Sequence, residues 1–278
     1  MRIEFLRRTI PRRSALELLR LESSHQVEDR ARKVLADTGA LLAAAGEGLA
    51  AGLRADLLLE MGRLQAAGST PREASAGLGS LRSMLPRDDR RVVASLIYEA
   101  GMLLEAGSAE RALVVAEEAY AFSREETLEN EALLARGVCL LVSGNTSRAL
   151  ETFKEVAATA RDASLRHRTA LCLAVTYTRL GDPVNARQSF QAAQAGGSQG
   201  AEVLEGALAR SSEAAFKGTY TRLKALAAKP DDSAPDTALQ LSRLFFYRPL
   251  SPLGRKLSLP AGDRTGMLAA GFLAELRI

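Results

Sequence analysis

A chain of 278 residues, 47% hydrophobic and 25% charged, is long enough to bury a core and too apolar for a disordered protein. No apolar run reaches the length of a bilayer span, and MRIEFLRRTIPRR at the N-terminus lacks the apolar stretch of a secretory signal, so the expectation is a cytoplasmic protein with no transmembrane segment. The net charge of +4 is uneven, with +4 in residues 1–33, +5 in 217–278 and −5 between them.

Basic ends on an acidic body admit two readings. They contact nucleic acid, anionic lipid or an acidic protein, or they fold back on the body. The arginines of the ends, including Arg2, Arg7, Arg8, Arg12 and Arg13, are interspersed with glutamates and lack an aromatic stacking platform, which favours the second.

Forty-nine alanines and no tryptophan describe thin, closely approaching elements, and alanine has the highest helix propensity. Residues 1–50 read as a basic arm followed by one or two helices between 14 and 50. Next comes a helix pair over 52–85, with Gly62, a turn at Gly68, then Ala74 and Leu78. Three clearer pairs follow over 88–195. The first has Leu96, Ala100 and Leu103, the breaker AGSA at 106–109, then Ala112, Ala116 and Ala119. The second has Leu133, Gly137, Leu140 and Leu141, the breaker SGNT at 143–146, then Ala149, Phe153 and Val156. The third has Ala170, Ala174 and Tyr177, the breaker LGDP at 180–183, then Ala186, Phe190 and Ala193. Apolar residues at this spacing share one helix face.

Gly107, Gly144 and Gly181 therefore stand 37 residues apart, each followed five residues later by alanine. Glycine suits a left-handed helix C-cap, and Thr146 or Ser147 is expected to cap the helix after Gly144. Pro183 suits a first helical turn. A degenerate pair is predicted over 200–228, turning at Gly218. After Pro230 the breaker-rich KPDDSAP leads to LQLSRLFFYR, a proline-containing stretch, and a last helix over 263–277. The predicted organisation is 1–50, 51–229 and 230–278.

These residues resemble the tetratricopeptide repeat family, a helix–turn–helix unit with a small residue at its eighth position, a glycine-led turn, an alanine at the twentieth and an aromatic at the twenty-fourth. Gly137, Gly144, Ala149 and Phe153 fall on that pattern, as do Ala174, Gly181, Ala186 and Phe190. The family's first-helix tryptophan and terminal proline are missing, and the period is 37 instead of about 34. The fold implied is an all-α, right-handed superhelical solenoid of four to five helix pairs plus a C-terminal helical segment.

Catalytic constellations are sparse. His25 and His167 stand far apart, and Cys139 and Cys172 fall inside apolar helical patterns, where buried structural thiols are expected. GEGLAAG at 46–52 lacks the spacing and preceding strand of a dinucleotide loop, and phosphate-loop, zinc-protease and nucleophile-elbow motifs are absent. The expectation is a non-enzymatic protein without catalytic residues, metal or cofactor.

The resemblance implies that the first helix of each pair lines a concave face. In this chain the corresponding residues are Ile97 and Leu104, then Leu134, Val138, Leu141 and Val142, then Leu171, Val175, Thr178 and Arg179. Family members that clamp a terminal carboxylate use lysine, asparagine and arginine there. Mostly aliphatic residues imply instead an apolar groove for a protein or peptide partner, or for the chain's own termini. LFFYRPL at 244–250 offers Phe245, Phe246, Tyr247 and Arg248 either as a partner anchor or as a core plug. The expected function is an adaptor or assembly subunit. The alternatives are a nucleic-acid or anionic-surface binder using the basic termini, and a regulatory module of a separately encoded enzyme.

Overall fold

The computed structural model describes residues 24–45, 49–67, 71–195 and 273. Regular structure among them is entirely helical: α1 (Ser24–Ala45), α2 (Ala51–Ala67), α3 (Pro71–Met84), α4 (Arg90–Glu105), α5 (Ala109–Phe122), α6 (Glu126–Val142), α7 (Thr146–Thr159), α8 (Ala163–Arg179) and α9 (Pro183–Ala195). The four predicted pairs over 52–195 are thus α2/α3, α4/α5, α6/α7 and α8/α9. The pair expected over 200–228, the aromatic segment at 244–250 and the basic arm lie outside the described residues.

The chain divides into two compact units, residues 1–84 with 251–278, and residues 85–250. This division joins α1 to α2 and α3, whereas composition placed a boundary after residue 50. In the second unit each helix packs on the next from α4 to α9, and the first helices of the pairs also pack on one another, α4 on α6 and α6 on α8. Neighbour-on-neighbour packing of this kind is that of a helical repeat.

The turns within the three pairs are built alike. Gly107, Gly144 and Gly181 have φ of 74°, 83° and 70°, a region that costs any residue with a Cβ. Each closes its helix with the same two bonds. The glycine N–H donates to the carbonyl three residues back (Leu104, Leu141 or Thr178), and the following N–H donates to the carbonyl five residues back (Leu103, Leu140 or Tyr177). This is the Schellman arrangement.

The residue after each glycine (Ser108, Asn145 or Asp182) supplies the carbonyl that accepts from Ala112, Ala149 or Ala186, at 2.9, 3.0 and 3.0 Å. The glycine-to-alanine spacing of five therefore spans one cap and the first hydrogen-bonded turn of the next helix. The cap before α7 is Asn145, and Thr146 is already helical, so capping by Thr146 or Ser147 does not occur. Asn145 makes no side-chain cap bond; its Nδ2 donates to Ser143 Oγ instead.

Aspartate carboxylates accept a backbone N–H at the starts of α4, α8 and α9, the last through Asp182 Oδ1 from the Asn185 N–H at 3.1 Å, whereas α6 starts at Glu125 without a side-chain cap bond. The Asp89 carboxylate accepts from the Arg91 backbone N–H at 2.9 Å, and Asp162 accepts from the Leu165 N–H at 2.7 Å. Burial alone would raise the Asp89 pKa, but the hydrogen bonds and charge of Arg91 outweigh it and hold the carboxyl below its usual range.

Within a pair, a small residue on one helix admits a large one from the other. A Cβ added to Gly137 would overlap the Phe153 ring, and one added to Gly62 would stand 2.5 Å from Leu78 Cδ2. Phe153 and Leu78 are fully buried, so neither has space into which to swing. In α4/α5 the same contact layer is alanine, with Ala100, Ala112, Ala116 and Ala119 all fully buried. Second helices bury one stripe, as in α7 with Ala149, Thr152, Phe153 and Val156. First helices are covered almost all round, as in α6, where Ala132–Ala135 and Gly137–Leu141 are buried without a gap other than Arg136. A helix apolar on every side is a core helix.

In the first unit α2 packs between α1 and α3. It buries a charged pair, Arg63 Nε donating to Glu60 Oε2 at 2.7 Å, with side chains 1% and 2% exposed.

Gly137→Ala is expected to lower the unfolding free energy by about 1–2 kcal/mol, because overpacking against Phe153 costs roughly 1–3 and the gain in helix propensity returns at most about 1. Gly77→Ala in α3, where an added Cβ meets nothing within 4 Å, is expected to raise it by up to about 1 kcal/mol. Urea titration of both variants checks the opposite signs.

Candidate functional site

The residues expected to line the concave side fall on α4, α6 and α8, the three first helices of the second unit. Ile97, Leu104, Leu134, Val138, Leu141, Leu171 and Val175 are all buried, none more than 5% exposed. They lie on helices packed in the order α4, α6, α8. Three further residues expected on that side, Val142, Thr178 and Arg179, are only partly buried and stand near the C-terminal ends of α6 and α8. Phe245, Phe246, Tyr247 and Arg248 lie outside the described residues.

Between α6 and α8 runs a polar seam. Arg168 holds Glu131 with both terminal nitrogens, Nη1 to Oε2 at 2.8 Å and Nη2 to Oε1, and the side chains are 5% and 14% exposed. Burial would depress the Arg168 pKa, but the Glu131 carboxylate's charge and hydrogen bonds, aided by Asp162, outweigh it and raise it. Further along, Arg179 Nη1 donates to the Leu141 carbonyl at 2.6 Å. Thr159 Oγ1 donates to Asn130 Oδ1 at 2.6 Å, tying α7 back to its own first helix.

Glu131 and Arg168 are not among the site residues expected from sequence, although they stand 37 residues apart, the period of the repeat. Opposite charges at one register position of successive units were the available signal.

Cys139 and Cys172 are free and fully buried, and burial pushes both thiols far up, which keeps them protonated. His167 is half-buried on α8, and its Nδ1 is enclosed with no hydrogen-bond partner among the described residues. Among the described residues no group of three His, Cys, Asp or Glu is placed to hold a metal ion, and no helix is long and apolar enough to cross a membrane.

Comparison with protein-family models, with curated proteins and with solved structures finds no match to this chain.

Removing one partner of the Glu131–Arg168 pair leaves a buried charge. Glu131→Leu and Arg168→Met are each expected to cost roughly 3–5 kcal/mol, and the double change Glu131→Leu with Arg168→Met is expected to recover most of that loss. A double-mutant cycle by chemical denaturation measures the coupling.

His167 gives a pH dependence. Burial first and the Arg168 charge second lower its pKa from 6.5. The unfolded chain then binds the proton more readily, so stability is full above the unfolded pKa of 6.5 and falls as pH drops below it. Stability measured from about pH 7.5 down to about pH 5 is expected to decline more steeply in the wild type than in His167→Gln.

Proposed function

We propose that the chain is a non-enzymatic protein-interaction scaffold, an adaptor or assembly subunit of the cytoplasm that holds a protein or peptide partner. Its helix pairs form a tetratricopeptide-like α-solenoid of right-handed superhelical course, and the partner is held along the side presented by α4, α6 and α8. The observation that carries this reading is the repetition of one turn at Gly107, Gly144 and Gly181 with a 37-residue register, joined to first helices that pack on one another. Such stacking brings corresponding positions of successive units into one row, so that a single extended or helical ligand meets the same position several times over.

The chemistry of that row is aliphatic, and it is covered. A partner gains contact with Leu134, Val138, Leu171 or Val175 only by displacing what buries them, whereas Val142, Thr178 and Arg179 are within reach from the start. The absence of a clamp of exposed cations along the row favours an apolar segment over an acidic tail.

The test uses a photo-crosslinking residue placed singly at Val142, Thr178 or Arg179, and at Val114, which is 64% exposed on the second helix α5. Cross-links to one protein partner from the first three positions are the expected result. Cross-links from Val114 alone, or none from the inner positions with a partner still co-purifying, would overturn the placement.

A further inference from the structure

The core of the first unit is completed from far along the chain. Leu273 is helical and 2% exposed, and it belongs to one apolar cluster with Val34 of α1, Leu49, and Leu53 and Leu57 of α2. Leu35, Leu41, Leu42 and Met61 are packed around that cluster while still partly exposed. Residues 251–278 group with residues 1–84 and not with residues 85–250, which precede them. On its other side α2 is already occupied by α3, through the Gly62–Leu78 contact. Among the described residues, the face that α1 and α2 share therefore has an apolar occupant from outside the pair, and that occupant arrives from a distant point in sequence.

Around Leu273 the sequence places Ala269, Phe272, Leu273 and Leu276 at i, i+3, i+4 and i+7, one apolar stripe with Glu275 and Arg277 off it. A helix of that pattern laid on an apolar face formed by two others is the helix-in-groove mode of recognition.

From these observations we infer that the α1–α2 face is a helix-docking site whose occupant is the chain's own segment 263–278, held through Leu273. The site is distinct from the one proposed above, since it lies in the other unit and uses none of the same residues. Tethering sets the occupancy. A segment on the same chain binds intramolecularly, at an effective concentration set by the intervening chain, so it outcompetes a dilute free helix of equal intrinsic affinity.

The experiment uses the full chain, its Leu273→Glu and Leu273→Ala variants, and a synthetic peptide of residues 263–278. In Leu273→Glu, amide exchange in α1 and α2 is expected to rise by about tenfold or more, with α6 and α8 unchanged as the internal control of folding. The peptide is expected to bind this variant and restore the protection, and to bind the wild type at least about tenfold more weakly because the site is filled. Leu273→Ala, which deletes contact without adding charge, is expected to fall between the two and keeps the test answerable if the glutamate variant loses α1 altogether. Unchanged exchange in α1 and α2, or raised exchange that the peptide does not reverse, would overturn the inference. Protection that depends on protein concentration, with a dimer in solution, would assign the occupant to a second copy and overturn it as well.

Discussion

Two helices of a pair lie close where the side chain at their crossing is absent or no larger than a methyl. At Gly137 and Gly62 a single methyl would meet the Phe153 ring or the Leu78 side chain, and both of those are enclosed. Helix separation is set by the side chains at the crossing, so the missing Cβ draws the pair together and lets a full aromatic or leucine fill the crossing without a void. The α4/α5 pair reaches the same end with alanine on both sides. The rest of the second unit depends on this narrowness. Only when each second helix is drawn in can its first helix touch the next first helix as well, as α6 touches both α4 and α8.

That arrangement divides the labour between the two helix types. Second helices keep a solvated face, with Glu117, Glu118, Glu151 and Glu155 exposed. First helices are more deeply enclosed, and polar groups on their covered sides pair with one another. Glu131 and Arg168 satisfy one another across α6 and α8, and Arg179 reaches the carbonyl of Leu141, a group near the end of α6. A buried ion pair contributes little net stability compared with an apolar pair of the same volume, but it penalises any shift of α8 against α6 that separates the charges. The same enclosure removes Cys139 and Cys172 from chemistry.

What could be read from the sequence was local. The glycine turns and the alanine five residues on each involve a few neighbouring residues of one helix hairpin, whereas the seating of Phe153 on Gly137 and of Leu78 on Gly62 within a pair is seen only in the structure. Backbone sterics and helix periodicity determine the former directly. The cap before α7 was misplaced by one residue because threonine and serine are strong caps in general, whereas here the Schellman turn at Gly144 fixes the path and puts Asn145 at the boundary. The depth at which the first helices lie was not legible, since Leu134 or Val175 on an apolar stripe looks the same whether it faces a groove or a core. Nor was the Glu131–Arg168 seam, which exists only once the register between pairs is known. The place of Leu273 in the first unit was the least accessible, because nothing in its neighbourhood points to Val34 or Leu53 more than 200 residues earlier.

The position of Leu273 also bears on the order in which the protein takes shape. Domains generally fold from the N-terminus as the chain leaves the ribosome. Here α1 and α2 emerge before α4 to α9, yet the leucine that closes their apolar cluster is translated after every residue of 85–250. The second unit has all of its residues before the first has its own, so α1 and α2 wait through the synthesis of 85–250 with part of their core still in the messenger.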